Sequence, residues 1–463
     1  MDLDGTLLKT DTMFEAILLL LKKNIFYCLS ILLWLAKGRA HLKYQLSSRV
    51  DIPLDTLPLN TEFLGYLQTQ KKKNRKLILI SASSQKAVDQ IQSHMKIFDA
   101  AFGSDANVNL QGKTKLEKIK MLTGGKSFAY AGNSRIDAVI WNEASQAIMV
   151  NCEVKVTNSK KFENALRFDP PEPALGQFFR SVRPHQWLKN LLVFIPLILS
   201  HQLSDTGLIS VLFVTFISFS LCASSVYLMN DLFDLEHDRN HLTKFNRPFA
   251  SGNLSIVTGL IVGPCLFALG AITAFYLPFN FLIVFFAYGL INFAYSFYLK
   301  KIFMLDVVVL AFLYTLRIIA GAESIELQPT FWLLGFSFFL FLGLAMVKRV
   351  AELFNVISAG NKKIEGRAYS KDHMSFLSIT GVLSTAIAVA IFAFYITDPK
   401  TTELYSAPLV LWAIFPLISY LLFRIWKNAL EGEMSEDPVL FALTDQVGQI
   451  LVVCCGIILW FAS

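Results

Sequence analysis

Charge is scarce in this sequence. Only 17% of its 463 residues are Asp, Glu, Lys or Arg, against roughly a quarter in soluble domains, which excludes an ordinary soluble enzyme. Cysteine is sparse too: Cys28, Cys152, Cys222, Cys265, Cys454 and Cys455 show no metal-ligand spacing, and four of them lie in apolar runs. A disulfide framework is not expected, and reduced buried thiols are. The surplus of 42 basic over 35 acidic residues is small, too small to imply a nucleic-acid partner. A basic-then-apolar leader is missing, so no secretory signal is expected. Apolar residues, by contrast, make up 54% of the chain, 40 of them Phe, and mean hydropathy is +0.49. Disorder and collagen-like repeats are thereby excluded, and membrane segments are expected.

Composition changes near residue 170. Residues 1–165 mix short apolar runs with charged helical stretches, the pattern of a water-soluble α/β unit. Phe168-Asp169-Pro170-Pro171-Glu172-Pro173 cannot continue a helix, so 166–180 reads as a linker. Long apolar runs then recur across 181–463. Taking about 20 apolar residues per crossing, nine spans are expected at about 188–203, 206–229, 255–277, 279–299, 302–322, 331–347, 376–396, 409–423 and 447–462. Loops after the second, fourth, sixth and eighth carry Arg239, Lys244, Arg247, Lys300, Lys301, Lys348, Arg349, Lys362, Lys363, Arg367, Lys371, Arg424 and Lys427; the opposite loops carry only Lys400. The positive-inside rule places the basic loops and the N-terminal domain in the cytoplasm of a multi-pass inner or plasma membrane protein. Asn24–Ala36 is apolar but about 13 residues long, too short to cross. A buried cap helix is the first expectation for it, and a helix resting on the membrane the second.

The chain opens with Asp2 and Asp4 two residues apart at the end of a short strand, before a Gly5 turn. That spacing suits phosphoryl transfer, one carboxylate attacking phosphorus and the other serving as acid and base. A strand over Leu77–Ile80 leads to Ser81-Ala82-Ser83, a hydroxyl site for phosphate oxygens. Gly112-Lys113-Thr114-Lys115 offers an ammonium. A strand over Ser127–Ala131 leads to Gly132-Asn133-Ser134-Arg135-Ile136-Asp137, a place for a Mg²⁺ ligand. In this order the pieces resemble the four motifs of the haloacid dehalogenase (HAD)-type phosphatases, over about residues 1–155. The resemblance implies a Rossmann-like α/β domain with a helical cap at about 13–75. It makes Asp2 the nucleophile, Asp4 the acid/base, Ser81 and Lys115 the phosphate binders, and Asp2, Asp4 and Asp137 the metal site. Two departures stand out: Asn133 occupies a position where the family usually has an acid, and the first strand begins at Met1. A degenerate, structural or regulatory domain is the alternative.

The second expected span ends in Asn230-Asp231-Leu232-Phe233-Asp234-Leu235-Glu236-His237-Asp238-Arg239. On a continuous helix Asp231, Asp234 and Asp238 fall within roughly 60° of one another. Three such acids beside an apolar span repel one another unless a divalent cation neutralises them, and intramembrane acids point to function. Lys244 and Arg247 follow at hand for phosphate oxygens. This run resembles the first Asp-rich motif of the UbiA superfamily of intramembrane prenyltransferases, over about residues 176–463. Within that superfamily the pattern is similar to the decaprenyl-phosphate phosphoribosyltransferase branch. The pointers are Arg183-Pro184-His185-Gln186-Trp187-Leu188-Lys189-Asn190, Asp238-Arg239-Asn240-His241 leading to Lys244, Tyr295-Ser296 with Leu299-Lys300, then Asp306, Arg317 and Gly321, and Lys348-Arg349 with Glu352, Arg367 and Tyr369. Where quinone and haem members carry a second acid pair, this chain offers Asp306 alone.

The resemblance implies an all-α polytopic bundle in which Asp231, Asp234 and Asp238 hold Mg²⁺. Asn230, Lys189, Lys244, Arg247, Tyr295, Lys300, Asp306, Lys348 and Arg349 would bind a diphosphate donor and an isoprenoid lipid within the bilayer. Phosphoribosyl transfer to a polyprenyl phosphate is the leading expectation. Aromatic prenylation, and a non-enzymatic transporter or scaffold, are the alternatives. Plain structural roles are expected beside these: Trp187 as an interface anchor, Lys300 and Lys301 as topology signals, Arg317 paired with Asp306, and Glu352 paired with Lys348 along a helix.

Overall fold

The computed structural model describes residues 1–105, 108–152, 164–169, 174–241, 243–358, 360, 363–364, 367–434 and 437–462. By compactness the chain forms two units, one of Met1–Val182 with Tyr227–Val262, the other of Arg183–Val226 with Gly263–Ser463. Each is described by itself.

The first unit is built on parallel strands. β1 (Ile78–Ser84) pairs with β2 (Ala100–Ser104), while β3 (Ala129–Gly132), β4 (Gln146–Val150) and β5 (Leu166–Phe168) pair in that order. The chain start joins the two groups. Met1 N donates to Ile78 O at 3.0 Å, Ile80 N to Met1 O at 2.9 Å, and Asp2 N to Ala131 O at 2.9 Å. Two residues of main chain are therefore enough to hold Asp2 between β1 and β3. Leu3, Leu79, Ala131, Ile148, Val150 and Phe168 form the core beneath. Leu166–Phe168, expected within the linker, is instead part of the sheet because its apolar ends meet β4. Residues 170–173 of that expected linker lie outside the described residues.

Between the chain start and β1 the backbone is helical. α1 (Thr12–Lys23) begins at Asp11, whose carboxylate accepts from Met13 N, and ends on Lys22 and Lys23, so both termini suit the helix dipole. α2 (Tyr27–Ala36) and α3 (Arg39–Ser47) follow. No residue of α2 is buried, which overturns the expectation of a buried cap helix there. Gly5 sits at φ +71°, and a Cβ on it would lie 2.0 Å from Asn133 Nδ2. Gly5→Ala is therefore expected to cost about 1–3 kcal/mol, read from the unfolding midpoint of the purified protein. Unchanged stability would mean that the turn relaxes freely.

Seven helices among the described residues are long and apolar enough to cross a membrane: Thr206–Phe233, Ile256–Ala274, Phe279–Phe297, Leu305–Ser324, Phe331–Ser358, Lys371–Thr397 and Pro408–Glu431. At 1.5 Å per residue they reach about 28–42 Å, enough for a core of about 30 Å. This is an integral membrane protein. The count corrects the expected nine. The first expected span is a 3₁₀ run, Pro184–Phe194, followed by the short helix Ile195–Leu199; Pro196, which has no N–H to donate, stands where one continuous helix would have to pass. The last is Gln446–Ala462, 17 residues long, at the lower limit for crossing. In the second unit Leu305–Ser324 packs closely on the 3₁₀ run. A Cβ at Gly321 would fall 1.9 Å from Val193 O, so only glycine allows that approach.

Candidate functional site

Three polar clusters carry the residues singled out in the sequence. In the N-terminal α/β region, Lys115 Nζ lies 2.8 Å from Asp2 Oδ2 and donates to Tyr130 OH at 3.2 Å. Tyr130 OH donates in turn to Asp137 Oδ1 at 2.9 Å. The second Asp137 oxygen accepts from Asn133 N, Ser134 N and Ser134 Oγ at 3.0–3.2 Å. Asp4 belongs to a separate network, accepting from Thr12 N and Thr12 Oγ1 at 3.0 and 3.2 Å and from Ser83 Oγ. Ser81 Oγ is 2.9 Å from Ser83 Oγ. Burial, with the nearby charge of Asp11, raises the Asp4 carboxyl to about 7 against the hydrogen bonds from Ser83 and Thr12. A carboxyl poised there can give and take a proton near neutral pH. Burial and then Asp2 also raise Asp137. Lys43 of α3 reaches Ala82 O at 2.6 Å and, with Thr12 and Ser83, lines a crevice beside Asp4. Burial lowers its pKa while Asp11 and Asp4 oppose that. Lys43 and Tyr130 were not singled out in the sequence, since neither stands in a motif.

The second cluster lies at the end of Thr206–Phe233. That helix stops at Phe233, Asp234 is the N-cap residue of the next one, Leu235–Asn240, and Asp238 lies within it. The expected single stripe is thus broken at Asp234. Two of its acids still converge. Arg247 Nη1 donates to Asp231 Oδ1 at 3.0 Å and to Asp238 Oδ2 at 2.7 Å, and both carboxylates are almost fully buried. Burial, opposed by Arg247 and reinforced by Asp231, brings the Asp238 carboxyl up to about 6. Asn230 O accepts from Asp234 N, and Lys244 O from Arg247 N at 2.9 Å, so both tie the loop through main chain.

Beside this cluster is a buried pair that no sequence motif marks. Arg239 Nη2 and Nη1 reach Glu15 Oε1 and Oε2 at 2.5 and 3.1 Å, and Arg239 Nε donates to Ala250 O at 3.2 Å. Glu15 also accepts from Thr10 Oγ1 at 2.7 Å. Glu15 was one acid in an apolar run, 224 residues from its partner. Its position inside TMFEAILLLL was the available signal.

The second unit holds a balanced buried network. Asp306 accepts from Arg349 Nε at 2.7 Å, from Arg367 Nη1 at 3.5 Å and from Tyr369 OH. Glu352 meets Arg349 Nη1 at 2.5 Å and Arg367 Nε at 3.5 Å. Tyr295 OH accepts from both arginines, at 3.1 and 3.2 Å. Two acids thus face two guanidinium groups. Both expected pairings change: Glu352 takes Arg349 in place of Lys348, and Arg317 turns away from Asp306. Arg317 instead donates to Asn190 Oδ1, Tyr288 OH and Leu313 O at 2.7–2.9 Å. Lys189 pairs with Asp437, a residue not anticipated. Trp187 Nε1 donates to Ser224 Oγ at 2.9 Å, a contact inside the protein and not only an interface anchor. Lys300 and Lys301 sit on a 3₁₀ turn, Leu299–Lys301, and Lys348 on the helix Phe331–Ser358.

Among the described residues no group of three or more His, Cys, Asp or Glu side chains is arranged to hold a metal ion. The expected trios Asp2, Asp4, Asp137 and Asp231, Asp234, Asp238 are therefore not ready-made cages. The first divides between two hydrogen-bond networks, and in the second Arg247 joins two of the three acids. Asp231 and Asp238 nevertheless fit a divalent cation shared with a bound phosphate. Mg²⁺ is typically bound by one or two carboxylates plus substrate oxygens, and here two buried carboxylates come together on one guanidinium.

Residues 193–445 match the UbiA prenyltransferase family. An uncharacterized protein of Sinorhizobium fredii, y4nM, is 34% identical over 455 residues, 96% of this chain and 87% of that protein. The nodulation protein NoeC of Azorhizobium caulinodans is 32% identical, covering 61% of this chain and 91% of its own length. A decaprenyl-phosphate phosphoribosyltransferase of Mycolicibacterium smegmatis is 29% identical, again over 61% of this chain and 91% of the relative.

Proposed function

Because this chain belongs to the UbiA prenyltransferase family, we propose that it transfers phosphoribosyl from phosphoribosyl pyrophosphate to a polyprenyl phosphate, from the cytoplasmic side of the membrane. The observation that carries this reading is the buried convergence of Asp231 and Asp238 on Arg247 at the end of an apolar helix. Arg247 can release its carboxylates to grip diphosphate oxygens, for which its planar fork is suited, with Lys244 three residues before it. The freed Asp231 and Asp238 would hold Mg²⁺, which when bound neutralises the departing pyrophosphate. The bond from ribose C1 to the diphosphate oxygen breaks, and an oxygen of the lipid phosphate forms the new bond to C1. Pyrophosphate leaves with the electron pair.

Two further observations favour this donor over a prenyl diphosphate. The acid at the second motif, Asp306, is committed to Arg349 and Tyr369, and the other acid of that network, Glu352, to Arg349 and Arg367, so both are already engaged by cations or hydrogen-bond donors. Relatives named for decaprenyl-phosphate phosphoribosyl transfer match most of their own length.

For the N-terminal region we propose an HAD-type phosphatase that removes the 5-phosphate left on the transferred ribose. Asp2 attacks phosphorus while Asp4 gives a proton to the leaving ribose oxygen. Asp4 then draws a proton from water as that water displaces the phosphate from Asp2. The raised Asp4 carboxyl and the 2.8 Å approach of Lys115 to Asp2 support these roles. Tethering would present the product at high effective concentration.

Purified full-length protein in nanodiscs with Mg²⁺ tests both readings. Labelled phosphoribosyl pyrophosphate with polyprenyl phosphate is run beside prenyl diphosphate with 4-hydroxybenzoate. Label is expected in the lipid phase in the first reaction alone, and chelating the metal is expected to stop it. Product only in the second means aromatic prenylation, and product in neither favours a non-enzymatic protein. Phosphate release from the phosphoribosyl lipid is expected to vanish in Asp2→Asn. Release from small metabolites but not from that lipid overturns the product assignment.

A further inference from the structure

α2 has two apolar faces, and the protein uses one. Tyr27, Ile31 and Trp34, spaced i, i+4, i+7, pack against Ala16, Leu20, Leu42 and Leu46 of α1 and α3. On the other side Leu29, Leu32 and Leu33 are 63–66% exposed, with Phe26 just ahead at 74%. A helix apolar all round belongs in an apolar surrounding, yet α2 has only ten residues. That is about 15 Å, half of what a crossing requires. It can lie along a membrane but not through one.

The charge around it points to the same partner. Residues 16–50 contain Lys22, Lys23, Lys37, Arg39, Lys43 and Arg49 and no Asp or Glu. All of these except Lys43 are exposed. Elsewhere the same chain crosses a membrane, so a bilayer is always within reach. We propose that α2 docks the first unit onto that bilayer. Its outward leucines enter the boundary between headgroups and acyl chains, about 5–10 Å deep, and Lys37 and Arg39 meet anionic lipid headgroups. Docking of this kind holds whichever donor the transferase uses.

Full-length protein provides the test, with Cys28, Cys265, Cys454 and Cys455 changed to serine and one spin label placed at Leu33→Cys. A second preparation carries the label at Lys72→Cys, an exposed site on the helix Thr61–Lys72. Both positions face outward, so folding should survive either change. In nanodiscs containing anionic lipid, dissolved oxygen is expected to relax the Leu33 label several-fold more than a water-soluble nickel complex does, with the reverse at Lys72. Insertion is expected to weaken in purely zwitterionic discs. A water-like profile at Leu33 overturns the proposal. So does a Leu33 label shielded from both reagents, which would mean that a protein surface covers α2. Equal insertion in both lipids overturns the role given to Lys37 and Arg39.

Discussion

Asp238→Asn is expected to reduce transfer from the diphosphate donor by on the order of 10²–10³-fold, the scale seen when one preorganised charge-stabilising group is removed. Asparagine keeps the side-chain shape but gives up the charge that opposes Arg247 across 2.7 Å. The Asp238 carboxyl already lies near 6 because of its burial, so losing its charge should leave folding nearly intact. Activity should fall while the melting temperature holds. Asp231→Asn should behave alike, because Asp231 shares the same Arg247 Nη1. Initial rates and thermal unfolding on one preparation check both statements. A variant that melts early, or one that retains its rate, would remove these acids from the reaction.

Arg239→Ala is expected to destabilise the first unit by about 3–5 kcal/mol, the usual result of leaving one partner of a buried ion pair behind. Glu15 and Arg239 are 5–6% exposed, and truncating the arginine strands a buried carboxylate beside the Thr10 hydroxyl. Arg239 follows Asp238 directly and also holds Ala250 O. Hydrogen exchange should therefore rise across 235–250, and transfer should fall with it. The double change Glu15→Leu, Arg239→Leu separates charge from packing. Two apolar side chains should recover most of the stability, since a buried pair is often replaceable by well-packed hydrophobes. If Arg239→Ala leaves both exchange and rate unchanged, the pair has no part in holding the acid-bearing segment.

Local signals in the sequence carried a good part of this. Lys115 and Asp137 sit near helix ends, Asp2 is held by main-chain bonds rather than in a regular strand, and the apolar runs located the starts of the strands at 78–84 and 129–132 to within two residues. Apolar length alone found the seven crossing helices. It failed at 188–203, where Pro196 mattered more than composition. Long-range pairing was not legible: Glu15 with Arg239, Lys189 with Asp437, and Asp306 with Arg349 each join distant segments through burial, which no motif encodes. The three-acid stripe failed for a local reason, since periodicity assumes an unbroken helix and the backbone interrupts it at Asp234. α2 was ambiguous because an apolar run of that length fits a core or an interface equally well until its neighbours are placed.

Binding of pyrophosphate to the full-length protein in nanodiscs, titrated calorimetrically with and without Mg²⁺, tests the central claim most directly. Tight binding that requires Mg²⁺ and disappears in Asp231→Asn and Asp238→Asn is the expected result. Pyrophosphate bound equally well without the metal, or undiminished in both variants, would show that this pair of acids is not where the leaving group is held.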